Sequence, residues 1–172
     1  MKAPRSMARD RSDSAGVALL LRVAVGGTML AHGLTHARSL AGTAGWFESI
    51  GFRQPRAQAR ASAVVEMGAG AAILAGAATP VAAAAVVGTM AVAARSVHLS
   101  NGFFITAEGW EYVANMAVGA VALAGVGPGP WSVDKALGLE QKFSGNSVAT
   151  LTAAVGLAAA AGQLALFYRP SK

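Results

Sequence analysis

Ionisable and hydrogen-bonding side chains interrupt stretches of this chain that are otherwise alanine, glycine, valine and leucine: Arg22, His32, Glu66, Arg95, His98, Glu111 and Asn115. Such groups cost about 2.5 to 3.5 kcal/mol each at the centre of a membrane span, and they face a bundle interior or a water-filled cavity. Each therefore needs a partner or a task. Glu66 lies deepest. It sits about nine residues into the run that begins near Ala57, which at about 1.5 Å per residue places it near the middle of a bilayer core about 30 Å thick. A carboxyl there is a neutral acid, a proton carrier or half of an ion pair. Arg22, about two turns into the first apolar run, is the expected partner for Glu66, with Arg95 second. A Glu66–Arg22 pair would serve equally well to hold two helices in register without doing chemistry.

His32 and His36 are four residues apart and share a helix face. Joined by His98 and by Glu66 or Glu111, they have the residue types of a metal site or a b-type haem pocket, although a histidine at a membrane boundary needs no such explanation. His98 ends the third apolar run three residues after Arg95, and Glu111 and Asn115 share a face at the start of the fourth. A short antiparallel connection would bring His98 and Glu111 together at one membrane surface. An imidazole beside a carboxylate can exchange protons with a quinone headgroup, and capping of two helix ends is the competing use of the same residues.

These residues must be positioned by membrane helices. Of the 172 residues, 54% are hydrophobic and 13% charged, and mean hydropathy is +0.48, so the composition is that of a polytopic all-α bundle rather than a soluble domain. Apolar runs predict spans at Ala15–Ala37, Ala57–Ala78, Pro80–His98, Gly109–Val126 and Asn146–Tyr168. Thr79 and Pro80 mark a tight hairpin, with Pro80 in the first turn of its helix. WFESIGF at Trp46 to Phe52 has the aromatic content of an interfacial helix or a flap over the bundle. Gly68, Ala72 and Gly76 place small residues four apart, the spacing that allows close helix approach. Residues 1–14 are expected to form a disordered cytoplasmic arm, too polar to pack and followed by a run too long for an ordinary signal peptide.

The net charge of +6 does not point to nucleic acid, because Lys and Arg sit at the ends of apolar runs instead of forming a basic stripe with interleaved aromatics. That placement suits anionic membrane lipid. With no cysteine, the chain holds no cysteine-ligated iron–sulfur cluster and no covalent haem.

Taken in order, LLLRVAVGGTMLAHG at Leu19 to Gly33, EMGAGAAILAGAATP at Glu66 to Pro80, His98, Glu111, and GPGPWSVD at Gly127 to Asp134 resemble the DoxX family of small bacterial membrane proteins. The resemblance covers roughly Val17 to Leu137. It implies a four-helix membrane core over residues 15–137, leaving residues 138–172 as a loop and an extra fifth span. It also implies a multi-pass protein of the bacterial plasma membrane. Relatives are associated with thiosulfate:quinone oxidoreductase, quinol oxidase complexes, and an actinobacterial oxidative-stress complex containing a superoxide dismutase and a sulfurtransferase. The expected function is accordingly that of an oxidoreductase-complex subunit in a respiratory chain, in contact with membrane lipids, partner subunits and quinone. Glu66, His98 and Glu111 would be the catalytic groups, with Arg22, His32, Arg95 and Asn115 binding the cofactor. A non-catalytic anchor or assembly subunit is the alternative. Family members often carry a lysine shortly after the HG pair where this chain has Thr35 and His36, so a role tied to that lysine does not transfer.

Overall fold

The computed structural model describes residues 15–139 and 144–170; the expected N-terminal arm lies outside them. The apolar runs fold as helices close to their predicted positions. Helix α1 spans Ala15–Arg38 and is wound more loosely, as a π-helical turn, at Arg22–Gly26. Helix α2 is Leu40–Ser49 and α3 is Pro55–Ala75. Helix α4 is Thr79–Asn101, with a second π-helical turn at Ala94–His98. Helix α5 is Glu111–Val126, α6 is the single turn Val133–Ala136, and α7 is Gly145–Phe167. Among the described residues the β pairing is an isolated Phe52–Tyr168 bridge.

Helices α1, α4 and α7, of 24, 23 and 23 residues, are long and apolar enough to cross a membrane, and α5 is a shorter apolar helix. Helix α3 has sufficient length at 21 residues, but it carries Arg56 and Arg60 as well as Glu66. Proline starts both α3 and α4, where its missing N–H would have had no intrahelical partner. Gly76 ends α3 in the left-handed conformation, with φ of 65°. A Cβ there would also lie 2.5 Å from the Ser132 side chain, so both backbone and space require glycine.

Helix α1 packs along α3, α3 on α4, and α4 on both α5 and α7, while α5 closes against α1. Met29, Ile73, Val86 and Leu123, one from each of α1, α3, α4 and α5, fill the centre. A second cluster joins Phe47, Phe52, Ala59, Val92 and Ala160. The WFESIGF segment thus turns Phe47 inward against α3 and α4 and leaves Trp46 outside, as expected of a flap.

The spacing holds only in part: Ala72 packs against the core and Gly76 lies close to Ser132 and Arg22, but the closest contact between helix backbones is made elsewhere. Gly68 faces open space. The close approach is made by Gly26 and Gly33 of α1 and Gly70 of α3: a Cβ on Gly33 would meet Met67 N at 2.6 Å, and one on Gly70 would meet Leu30 N at 2.5 Å. The four-residue pattern found a small-residue ridge on α3, but Gly70 lies about 200° around the helix from Gly68. Replacing Gly70 with alanine forces two backbones apart and should lower unfolding stability in detergent by about 1 to 3 kcal/mol. The Gly68→Ala protein should be unchanged or up to about 1 kcal/mol more stable. Equal behaviour of the two variants in thermal melts would contradict this packing.

Candidate functional site

One face of α3 carries Gln58, Ala59, Ser62, Ala63, Glu66, Ala69, Gly70 and Ile73 at three- and four-residue steps, and this face turns inward. Glu66 is 4% exposed. The Ser62 hydroxyl, one turn earlier, donates to Glu66 Oε1. His36, near the end of α1, brings Nδ1 to 3.2 Å from Ser62 Oγ and 3.2 Å from Glu66 Oε1. Both of these neighbours address the same carboxylate oxygen. Glu66 Oε2 is buried and has no hydrogen-bond partner among the described residues.

An unsatisfied buried carboxyl oxygen costs about 1 to 3 kcal/mol or more, so a polar group supplied from outside the chain would relieve it. A cavity of about 130 Å³ adjoins it, lined by His36, Ser62 and Glu66 and by Trp46, Thr89 and Gln163 among others. That is room for several water molecules or part of a ring. The three polar groups can bind such a guest and pass a proton. In its acid form Glu66 donates to an acceptor, in its carboxylate form it accepts from a hydroxyl, and His36 holds or releases a proton at Nδ1 as that state changes.

Arg22 takes no part in this cluster. Its guanidinium donates instead to backbone carbonyls: Nε to Ile73 at 3.0 Å, Nη1 to Trp131 at 2.6 Å and to Pro128 at 3.2 Å, and Nη2 to Leu74. The expected Glu66–Arg22 pair therefore does not form. Arg22 lies opposite the C-terminal end of α3, whose last carbonyls lack intrahelical donors and carry partial negative charge, and these satisfy the cation in place of an acid. The same node contains Asp134. Its carboxylate accepts from Ala78 N at 2.7 Å, Thr79 N at 3.0 Å and Thr79 Oγ1 at 2.9 Å, which caps the start of α4 and holds Ala78 at a φ of 45°. The GPGPWSVD segment is thus a clasp over the α3–α4 hairpin.

The remaining predicted residues are dispersed. His32 Nε2 lies 3.3 Å from the Tyr112 hydroxyl, with the two rings stacked at 6.0 Å. Arg95 sits over the Tyr168 ring at 5.6 Å, a cation–π contact. His98 and Glu111 do reach the same connection, but each bonds to its backbone: His98 Nδ1 to Glu108 O at 2.6 Å, and Glu111 Oε2 accepting from Ile105 N at 3.0 Å. Asn115 donates to Glu111 O one turn back. The helix-end reading of His98 and Glu111 matches these bonds better than a joint proton-exchange pair. His32 and His36 also diverge, towards Tyr112 and Glu66, and among the described residues no three His, Asp or Glu side chains gather as metal ligands.

Ser62, Trp46 and Asp134 were missed as functional or positioning residues. Ser62 had a readable signal, since it stands four residues before Glu66 on one face. Asp134 closes the GPGPWSVD motif, but its partners, 55 and 56 residues away, could not be read from that motif. Arg22→Lys tests the assignment of Arg22 as a structural residue. A single ammonium cannot span four carbonyls, so the variant should lose about 2 to 4 kcal/mol of unfolding stability; an unchanged melting midpoint would mean those carbonyls are satisfied by other means.

Residues 17–99 match the family model for DoxX. No curated protein and no solved structure matches the chain. The matched segment holds Arg22, His36, Ser62, Glu66, Arg95 and His98, whereas Glu111, Asn115, Asp134 and α7 lie beyond it. With helices long and apolar enough to cross a bilayer and this match over residues 17–99, the chain carries a DoxX-like segment and has the make-up of a membrane protein.

Proposed function

We propose that this chain is an integral subunit of a redox complex in the bacterial plasma membrane, and that it binds a quinone headgroup at His36, Ser62 and Glu66. The observation that carries the reading is the buried Glu66 carboxyl, engaged at Oε1 by Ser62 and His36 and unpartnered at Oε2 among the described residues, beside a small cavity with an aromatic wall at Trp46 and Phe47. A quinone takes up two electrons, supplied here by a partner subunit, and two protons. Glu66 would hold and deliver a proton at Oε2, and His36 would reset it through Oε1. Ser62 orients the carboxyl. Trp46 and Phe47 limit water at the outer side. Compared with the residues first expected to act, the active set contracts to Glu66 and gains His36 and Ser62; Arg22, His98 and Glu111 serve the frame.

Quenching of Trp46 fluorescence by menaquinone, in a full chain carrying Trp110→Phe and Trp131→Phe so that Trp46 is the single tryptophan, reports binding in lipid nanodiscs. Glu66→Ala should weaken binding about tenfold, in line with loss of a hydrogen bond to a charged group, and Ser62→Ala should weaken it by a smaller factor. Glu66→Gln should bind quinone but lose proton exchange coupled to its reduction. Wild-type affinity and full proton-coupled turnover in Glu66→Gln would overturn the role given to this carboxyl.

A second reading, an anchor or assembly subunit, is favoured by α7. Only 17% of its span is buried, and Leu151, Leu157 and Leu166 are exposed along it. Serine at Leu157 and Leu166 should lower recovery of a larger complex on native purification while leaving quinone binding by the isolated chain unchanged. Full recovery would remove α7 as a docking surface.

A further inference from the structure

A second, larger cavity of about 650 Å³ opens on the outer side of the bundle, within the size range of small-molecule sites. Its floor is α4, at Ala84, Ala85 and Gly88, and its walls are Val65 of α3 and Leu151, Val155 and Ala159 of α7. The floor is deep because α4 and α7 touch through glycine: a Cβ on Gly156 would lie 2.6 Å from Ala84 O, and one on Gly88 would lie 3.2 Å from Gly156 O. Along α7 the cleft runs from Ser147 to Gln163, about 24 Å at 1.5 Å per residue. At the Gln163 end it adjoins the Glu66 cavity, separated from it by side chains that face both. Val65, Thr89 and Gln163 line both this cleft and the Glu66 cavity. Just beyond, Gln163 donates to Gln58 Oε1 at 2.9 Å and ties α7 to α3.

We infer that the cleft between α3 and α7 seats the hydrocarbon tail of the molecule whose headgroup occupies the Glu66 cavity, so that this ligand enters sideways from the bilayer. The inference rests on the headgroup reading above and adds the class of ligand, a long-chain amphiphile, together with its path. Two observations join to support it: a buried carboxyl lacking a partner on one oxygen among the described residues, and an apolar cleft on the outside of the bundle that shares Val65, Thr89 and Gln163 with the cavity beside that carboxyl. A lone apolar groove would not choose an occupant, but one that ends at a polar pocket requires a molecule with an apolar chain and a polar end. The bilayer offers a tail surroundings as apolar as the cleft, so the cleft directs the ligand more than it attracts it. Blocking it should therefore exclude long-chain ligands through steric conflict while leaving tailless ones unaffected. Helix α7 acquires a task of its own as the far wall of the channel.

Ala158 and Ala159 are both exposed on α7, but only Ala159 lines the cleft. The full-length chain with Trp46 as its single tryptophan (Trp110→Phe, Trp131→Phe; the wild type of this comparison), and the same chain with Ala159→Phe or Ala158→Phe, would each be titrated in nanodiscs with menaquinone and with menadione, which shares its ring but lacks the tail, following Trp46 quenching and checking helicity by circular dichroism. Ala159→Phe should weaken menaquinone binding about tenfold or more and change menadione binding less than about twofold. Ala158→Phe should change neither. If menadione binds and menaquinone affinity is the same in wild type and Ala159→Phe, the cleft is not the tail path, although the headgroup reading stands. If Ala159→Phe weakens both ligands equally with helicity retained, the cleft acts on the headgroup cavity and the tail assignment is wrong. If neither compound quenches wild type, the headgroup reading fails and the tail assignment falls with it.

Discussion

A guanidinium placed inside an apolar helix dominates the arrangement of this protein. Arg22 cannot remain unpaired at that position, since an uncompensated charge in lipid costs several kcal/mol. It is answered by the carbonyls of Ile73 and Leu74 at the end of α3 and by those of Pro128 and Trp131 in the returning segment. Those carbonyls would otherwise be orphaned at a helix terminus. One side chain thereby satisfies the end of α3, fixes α1 against it and holds down the loop that delivers Asp134 to the start of α4. The interaction is structural, yet it decides what the acid in the membrane can do. With Arg22 occupied two turns away, the basic group beside Glu66 among the described residues is the His36 imidazole.

The antiparallel register of α1 and α3 carries that constraint from one end of the pair to the other. Arg22 meets Ile73 and Leu74, Gly26 meets Gly70, Gly33 meets Met67, and His36 meets Ser62 and Glu66. The glycines allow the two backbones to touch, so neither helix can slide without a clash, and packed backbones hold such a register more firmly than flexible side chains do. His36 is therefore placed opposite Glu66 by contacts spread along the helix pair, with the polar bonds completing an alignment already set by packing.

This division explains what the sequence could and could not reveal. Hydropathy located the helices to within a few residues, because a run of apolar residues is a local property. It also singled out Glu66, since a carboxylate surrounded by alanine and glycine needs no partner information to be conspicuous. The partner itself was misread. Depth along a span placed Arg22 and Glu66 near one another, but depth is one-dimensional, and the interhelix register that sets them two turns apart depends on Gly26, Gly33 and Gly70. Those glycines were indistinguishable by type from Gly68, which packs against nothing. The clasp at Asp134 is a contact between segments more than fifty residues apart, and no local pattern announces it.

The boundary of the family match divides the candidate site in an informative way. Residues 17–99 contain all three polar groups at the Glu66 carboxyl, the Arg22 guanidinium and the floor of the outer cleft. The clasp that steadies the α3–α4 hairpin and the far wall formed by α7 come from outside that segment. The polar chemistry and the helix register that creates it thus belong to the part shared with the family, whereas the shape presented to lipid is completed by the rest of the chain. A side chain on α7 can alter what reaches Glu66 without touching the hydrogen bonds around it, because Gln163 is the one α7 residue that lines both cavities. On the proposed reading, access and proton exchange are therefore separable in this fold: substitutions on α7 along the cleft would act on access, and substitutions on the inward face of α3 would act on the proton.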